Sequence, residues 1–222
     1  MKTLRGVLLD IDGTLIDSND AHAEAWVRAF AEEQVAVSRT DVRRAIGMGG
    51  DKLMPSVSGI EEDSPRGRAI SKRRGEIFLE ELLPHLRPFT DSHQLVAALK
   101  ERGYTMVAAS SAKRDELGKL LEIAGASALL DSSTSSDDAN NSKPDPDIVN
   151  AALRQAKALP REAVMIGDTP YDIAAATRAG VDVIAFRCGG WSDSDLGGAI
   201  AIYDGPWDLL QQLDASPLKA RR

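Results

Sequence analysis

The stretch Gly6-Val7-Leu8-Leu9-Asp10-Ile11-Asp12-Gly13-Thr14-Leu15 decides the fold of this chain. Its apolar first half has the length and composition of a buried strand in a parallel sheet. Residues two apart on an extended backbone point to the same side, so Asp10 and Asp12 begin on one face. Gly13 then permits a sharp turn. Open α/β sheets bind ligands at the carboxyl ends of their strands. The stretch therefore predicts either a ligand site built on two carboxylates or a strand end closed by an Asx-turn.

The composition is that of a globular chain and limits the classes of function. Of 222 residues, 43% are hydrophobic and 27% charged, which is enough for a substantial core. The 34 acidic against 27 basic residues disfavour nucleic acid as a partner, because a phosphate backbone favours a basic face. Cys188 is the single cysteine, so no intramolecular disulfide forms. The sequence shows no signal-like segment and no apolar run of membrane-spanning length, so a cytoplasmic protein without a membrane partner is expected.

Two regions of different periodicity follow the first strand. Residues 17–86 carry helical patterns and no convincing strand, with helices predicted at 20–34, at 40–46, from 52 onward and at 64–83. After Pro88, strands and helices alternate, and the predicted strands of the whole chain are 4–9, 104–109, 128–130, 163–166, 181–186 and 200–203. The tail at 216–222 is expected to fray.

These patterns predict an α/β fold built on a doubly wound, mostly parallel sheet. Loops of about seventy residues inside a compact domain are uncommon unless they are structured or functional. The expected organisation is therefore a core domain from residues 1–16 and 87–222, with a helical cap domain from residues 17–86 inserted over the strand ends.

Further polar residues stand where a parallel sheet would bring them to the same edge. Ser110 follows the strand at 104–109, Asp168 and Asp172 follow the strand at 163–166, and Lys143 precedes a proline. Each has a structural alternative: Ser110 as a helix cap, Lys143 as a solvated loop lysine, and Asp168 as a cap with Asp172 exposed. Together, and in this order, the positions favour one shared site.

In these motifs the sequence resembles the haloacid dehalogenase-like hydrolase superfamily. Asp10-Ile11-Asp12-Gly13-Thr14 is similar to the family's first motif, Ser110 to the second, Lys143 to the third and Gly167-Asp168-Thr169-Pro170-Tyr171-Asp172 to the fourth. The helical insert lies where the family's C1 cap belongs. The resemblance runs from about residue 4 to residue 186 and implies the family's Rossmann-like core.

The resemblance implies a phosphatase that uses Mg²⁺. Asp10 would be the nucleophile that forms an aspartyl-phosphate, and Asp12 would be the general acid and then the general base. Repulsion between neighbouring carboxylates is expected to keep one protonated, as an acid at Asp12 requires. The metal would be held by Asp10, the Asp12 carbonyl, Asp168 and Asp172.

The remaining core residues would bind the phosphoryl group. The Lys143 ammonium and the Ser110 hydroxyl would contact its oxygens, and the backbone N–H of Ser111 would add a donor. An acid two residues after the nucleophile is typical of phosphatases and phosphomutases, because an alkoxide leaving group needs a proton and a halide does not. Dehalogenation is therefore set aside.

The insert offers candidate substrate-binding residues. His22 and Trp26 lie four apart and share one helix face. Gly47 and Gly50 lie where a C1 cap carries its substrate-specificity loop, and Gly50 stands where β-phosphoglucomutases use an arginine. This favours a phosphatase over a mutase, although a cation could still come from Arg43, Arg44, Lys52 or Arg73. In the basic cluster at 72–74, Lys72 or Arg73 is expected to point inward.

Three classes of function stay open at this point. The first is hydrolysis of a small phosphate monoester similar to phosphoglycolate or a sugar phosphate. The second is a phosphomutase, and the third is a non-catalytic binding protein on the same fold, which predicts a damaged motif where none is found. The expected partner is a small phosphorylated molecule, and the expected assembly is a monomer or weak homodimer.

Overall fold

The computed structural model describes residues 4–219, in which six strands form a single sheet in the order β3-β2-β1-β4-β5-β6. Every strand pairing within those residues is parallel. The strands are β1 Gly6–Leu9, β2 Thr105–Ala109, β3 Ser132–Thr134, β4 Ala163–Gly167, β5 Asp182–Phe186 and β6 Ala201–Tyr203. This confirms the predicted doubly wound α/β sheet, whose strand order reverses direction at β1, the position where such folds bind ligands.

Helices occupy each connection from β1 to β5, and one more helix follows β6. They are α1 Asn19–Glu32, α2 Arg39–Ala45, α3 Gly50–Ser58, α4 Pro65–Ile77, α5 Ser92–Glu101, α6 Arg114–Ile123, α7 Asp147–Ala156, α8 Pro170–Arg178 and α9 Pro206–Gln211. The described helices include none that is both long and apolar enough to cross a bilayer.

The first strand is buried on both faces, which explains its unbroken apolar sequence. Val7 and Leu9 point into a cluster that includes residues of α5, α6 and α9, while Leu8 points into a cluster with residues of α7 and α8. All three side chains are completely buried. Burying each contributes about 1.5–3 kcal/mol, so this short strand holds the two layers of helices together and fixes where Asp10 emerges.

Helices α1 to α4 all lie between β1 and β2 in the sequence, and α1 packs against α2 and α4. The chain leaves the sheet and returns to it through two adjacent segments. The Asp17 N–H donates to the carbonyl of Arg87 at 3.1 Å, and the Phe89 N–H donates to the carbonyl of Leu15 at 2.9 Å. The helical insert is therefore tied to the core by a short antiparallel crossing.

The predicted strand at 128–130 is wrong. Those residues form a turn, and β3 is the polar segment Ser132–Thr134, which pairs with β2. The Asp131 N–H already bonds to Met106 O at 2.9 Å, and the Thr134 hydroxyl bonds to Ala108 O at 2.8 Å. Backbone pairing, and not side-chain hydrophobicity, determines which residues form this edge strand. Leu129 and Leu130 pack against the core from the turn.

Two other expectations need correction. The helix predicted at 64–83 ends at Ile77 and continues as a π-helical turn at Phe78–Leu82 and a 3₁₀ turn at Leu83–His85. The tail does not fray over its described part, because Ser216 and Leu218 are buried. Residues 220–222 lie outside the described residues.

Candidate active site

Asp10 is the first residue after β1 and still aligns with β4, since its N–H donates to Ile166 O at 2.9 Å. Its carboxylate lies between two donors. Lys143 Nζ is 2.5 Å from Oδ1, and the Thr14 hydroxyl is 3.0 Å from Oδ2. The strand therefore presents Asp10 at its carboxyl end with both oxygens held in place.

Lys143 is the cation of this site and is only 1% exposed. Besides Asp10, its ammonium contacts Asp172 Oδ1 at 2.7 Å. Burial alone would lower the pKa of Lys143, but the Asp10 and Asp172 carboxylates outweigh it and raise that pKa. The lysine thus stays charged between two acids.

The start of α8 places the other two carboxylates. β4 ends at Gly167, and Thr169 and Asp172 form a capping box at the next residues. The Thr169 hydroxyl accepts from the Asp172 N–H at 3.2 Å, while Asp172 Oδ2 accepts from the Thr169 N–H at 3.0 Å. Pro170 at the first helical position fits this start. Asp172 is therefore buried at the helix N-terminus and not exposed on its surface.

Asp10, Asp168 and Asp172 converge closely enough to hold a metal ion. One oxygen from each lies within 4.8 Å of the others, and all three residues are buried. Carboxylate oxygens are the ligands that Mg²⁺ and Ca²⁺ prefer. Three buried carboxylates face one ammonium, so a divalent cation would balance their charge, and the donor set fits such an ion.

Crowding of acids changes how these groups bind protons. Burial raises the pKa of Asp10 to about 7, since the Asp172 and Asp12 carboxylates act with it against Lys143. Burial and the neighbouring Asp10 and Asp172 carboxylates raise the pKa of Asp168 well above its usual range. A bound cation would act in the opposite direction.

Asp12 has different surroundings. Its Oδ1 accepts from the Ser18 hydroxyl at 2.5 Å and lies 2.7 Å from His22 Nε2. Burial acts to raise the pKa of Asp12, but His22, Ser18 and Arg74 outweigh it, and this pKa lies below its ordinary value. The expectation that Asp12 is the protonated member of the pair is therefore wrong for the structure described, in which Asp10 is the acid with the raised pKa.

A hydrogen-bonded chain leads from Asp12 to α6. His22 Nδ1 lies 2.6 Å from Arg74 Nη2, and Arg74 Nη1 donates to Glu116 Oε2 at 2.7 Å. The His22 ring stacks on Phe78 with centroids 4.0 Å apart. The Arg74 guanidinium lies 5.5 Å from the centre of the Trp26 ring. His22 and Trp26 do share one face of α1, as predicted from their spacing, and that face meets Arg74.

The structure brings most of the predicted residues to one cavity of about 570 Å³ between the strand ends and the insert. Its walls include Asp10, Asp12, His22, Trp26, Gly47, Gly50, Ser110 and Ser111. The alternative that Ser110 caps the following helix is wrong, because α6 begins at Arg114 and its N-cap is Lys113. The Ser110 hydroxyl accepts from the Ala112 N–H at 3.0 Å in the loop before that helix.

The prediction that Arg73 faces the site is wrong, and Arg74 occupies that role. Arg73 is on the outside of α4, where it pairs with Glu32 at 2.5 Å, and it does not line the cavity. Arg74 lies one turn from Ile70 and one turn from Phe78, both of which are fully buried. Arg73 has a similar helical spacing to the buried Ile70 and Ile77, so the sequence pattern alone does not select Arg74.

Sequence reasoning also missed residues that support the carboxylates. The Asn19 amide donates to Asp168 Oδ2 at 2.9 Å, and the Thr14 hydroxyl lies 2.9 Å from Asp168 Oδ1. Gly13 has φ +73°, and a Cβ there would collide with the Asn19 and Asp168 side chains. Only glycine fits this position, which explains the residue after Asp12.

The chain is similar to known proteins in sequence and in fold. The model of the family described as "Haloacid dehalogenase-like hydrolase" matches residues 7–186. A phosphoglycolate phosphatase from Aquifex aeolicus is 30% identical over 178 residues, covering 80% of this chain and 82% of its own length. The pyrophosphatase PpaX from Bacillus velezensis is 28% identical over 185 residues, covering 81% of each. The crystal structure of a hydrolase from Pseudomonas syringae superposes with a TM-score of 0.89 at 27% identity, covering 95% of this chain and 98% of that one.

Proposed function

The chain belongs to the haloacid dehalogenase-like hydrolases and is an enzyme of the phosphatase type, and we propose that it hydrolyses a small phosphate monoester through an aspartyl-phosphate on Asp10. The observation that carries this proposal is the setting of Asp10. It stands at a strand end, held by the buried Lys143 ammonium and next to the acids Asp168 and Asp172. Such a site combines a nucleophile with charges that can position a phosphate.

In the first half of the reaction, an oxygen of Asp10 attacks phosphorus while the bond from phosphorus to the ester oxygen breaks. Asp12 gives its proton to the departing oxygen. A phosphate dianion beside Asp12 favours the protonated carboxyl and thereby opposes the effect of His22. Lys143 and Ser110 would hold the non-reacting phosphoryl oxygens.

In the second half, the Asp12 carboxylate accepts a proton from water. The water oxygen attacks phosphorus, the bond from phosphorus to Asp10 breaks, and phosphate and the Asp10 carboxylate are released. Asp10, Asp168 and Asp172 would hold Mg²⁺, with the Asp12 carbonyl as the further predicted ligand. When bound, this ion would offset the negative charge of the phosphoryl group.

The surroundings of Gly50 favour hydrolysis over phosphate transfer within a sugar phosphate. A Cβ at Gly50 would lie 2.6 Å from a carboxylate oxygen of Glu62, and both residues line the cavity. A mutase needs a cation for a second phosphate, whereas this position faces an acid. The undamaged motifs likewise favour an enzyme over a non-catalytic binding protein.

Other properties remain part of the proposal. Residues 17–86 act as a cap over the core of residues 1–16 and 87–222, which the paired crossing of Asp17 and Arg87 supports. The partner is a small phosphorylated molecule and not a nucleic acid or a membrane. A cytoplasmic location and a monomeric or weakly dimeric state stay predictions.

Release of inorganic phosphate from a panel of phosphorylated metabolites, with Mg²⁺ and with EDTA, tests the proposed hydrolysis. Asp10→Asn should lower kcat by about a thousandfold or more, because the nucleophile is lost, with an unchanged circular dichroism spectrum. Phosphate release should equal substrate loss, whereas a mutase would convert substrate without releasing it. Full activity of Asp10→Asn would overturn the assignment of the nucleophile.

A further inference from the structure

The cavity contains one buried carboxylate that the proposed hydrolysis does not use, on Glu116 of α6. Glu116 is 4% exposed, and only its Oε2 is paired, with Arg74 Nη1 at 2.7 Å. Among residues 4–219, nothing hydrogen-bonds Glu116 Oε1 or Arg74 Nε. Both side chains line the cavity. Unpartnered buried polar atoms are costly, so a ligand whose groups complement these two atoms would offset that cost.

An alcohol hydroxyl complements both atoms. It can donate to the carboxylate oxygen of Glu116 and accept from the N–H of Arg74. A carboxylate or a second phosphate on the ligand has no proton to donate and would meet the like charge of Glu116. The pair therefore distinguishes hydroxyl groups from anions.

The positive charge of Arg74 is already paired with Glu116, which strengthens the preference for hydroxyl groups over anions. Arg74 contacts His22, and His22 in turn contacts Asp12, so Arg74 is linked to the reacting groups through hydrogen bonds. Glu116 balances its charge in a pair whose side chains are 16% and 5% exposed. Lys113 and Arg114 also line the cavity but are exposed, and Arg114 pairs with Asp138 at 2.8 Å.

The rest of this wall is rich in acceptors. Besides Asp10, Asp12 and Glu116, the cavity is lined by four acidic residues, namely Asp51, Glu62, Asp115 and Asp137. Ser71 donates its hydroxyl to Glu62 at 2.7 Å, so one of these acids already binds a hydroxyl group. A leaving alcohol with several hydroxyl groups suits such a surface better than an anionic one.

We propose that Glu116 is a specificity-determining residue that, with Arg74, selects phosphate esters of polyhydroxylated alcohols and rejects those whose alcohol carries a carboxylate or second phosphate. This inference rests on the proposed function of the site, and it narrows the substrate to esters of the sugar-phosphate kind.

Binding to the Asp10→Asn protein tests the preference without requiring turnover. Sorbitol 6-phosphate and 6-phosphogluconate differ only in a CH₂OH in place of a COO⁻, and glycerol 3-phosphate and 3-phosphoglycerate form a shorter pair with the same exchange. With Mg²⁺ present, the comparison is made within the pair of esters that binds more tightly. Calorimetry should show that the ester with the CH₂OH group binds about tenfold more tightly than the ester with the carboxylate. Equal affinities, tighter binding of the acid, or no binding of any ester would overturn the inference.

A second variant assigns the preference to Glu116. Glu116→Gln in the Asp10→Asn background should bring the affinity ratio close to one, mainly by improving binding of the acid. Glu122→Gln, on an exposed position of the same helix, should leave the ratio unchanged. An unchanged ratio in the Glu116→Gln protein would contradict the assignment.

The design separates the two proposals and guards against misfolding. If the wild-type enzyme releases no phosphate but the binding preference is observed, the proposed hydrolysis is overturned and the proposed specificity is not. If Glu116→Gln fails to fold because Arg74 is left unpaired, the double variant Arg74→Gln/Glu116→Gln removes both charges and should show the same loss of preference. The affinity ratio of the Asp10→Asn protein itself requires no substitution at Arg74 or Glu116.

Discussion

Lys143 shows how a single residue controls the electrostatics of this site. Its ammonium is buried and lies 2.5 Å from Asp10 and 2.7 Å from Asp172. A lysine before a proline is ordinary in a solvated loop, and only the contacts of Nζ distinguish this one. Its removal would leave several acids without their buried counter-charge.

We expect Lys143→Met to destabilise the metal-free protein by about 3–5 kcal/mol, the usual cost of breaking a buried ion pair from one side. Urea unfolding in EDTA measures the change. Lys119→Met on the exposed surface of α6 is the matched control and should change stability by at most about 0.5 kcal/mol. A Lys143→Met protein as stable as this control would show that the pairing contributes nothing to the fold.

At the scale of elements, α4 separates two neighbouring arginines by helical phase. Arg74 is on the face that carries Ile70 and Phe78, whereas Arg73 pairs with Glu32 near the surface. Because successive residues point in different directions around a helix, only one of these two guanidinium groups reaches the cavity. A cluster of three basic residues cannot be assigned from composition alone.

Arg74→Ala should lower kcat/KM by about tenfold or more, because His22 loses its partner and Glu116 is left as an unpaired buried charge. Arg73→Ala should leave kcat/KM unchanged and cost at most about 1 kcal/mol of stability, as is usual for exposed pairs. Steady-state kinetics and thermal unfolding of both variants provide the comparison. Equal losses in the two variants would contradict the placement of Arg74.

The elements differ in how well their sequences predict them. The run Thr169-Pro170-Tyr171-Asp172 carries a local signal for a helix start, and α8 begins there. By contrast, β3 is a serine-rich segment whose pairing with β2 is visible only in three dimensions. Local hydrogen bonds can be inferred from neighbouring residues, but edge pairing depends on chain segments far apart.

At the scale of the whole molecule, the buried acids link stability to pH. Burial raises the pKa of Asp10 from 3.8 to about 7, and it raises that of Asp168 as well. The folded metal-free protein therefore holds protons that the unfolded chain would release. This contribution to stability is fully present below pH 3.8 and is lost as the pH rises through about 7.

We expect the midpoint of thermal unfolding in EDTA to fall as the pH rises from about 5 to about 8, following this loss of bound protons. Mg²⁺ should raise the midpoint more at the higher pH, because it binds ionised carboxylates. Thermal scans across this pH range, with and without Mg²⁺, measure both effects. Asp10→Asn should flatten the metal-free pH dependence, and a wild-type midpoint that rises with pH in EDTA would contradict the prediction.

The sequence by itself determined the sheet and the acids at its edge. A buried apolar strand followed by Asp10 and Asp12, then alternating strands and helices, permits few topologies, because parallel connections are right-handed and strand ends share one edge. Glycine after Asp12 and the capping box before Asp172 are likewise local requirements of the backbone.

Only the tertiary structure decided the environment of those groups. It showed that Asp12 is held by His22 and Ser18 while Asp10 has the raised pKa, and that Arg74, not Arg73, reaches the cavity and is paired with Glu116. These contacts join residues from separate parts of the chain. Their strength depends on burial and on the distance between charges, which no local pattern of residues encodes.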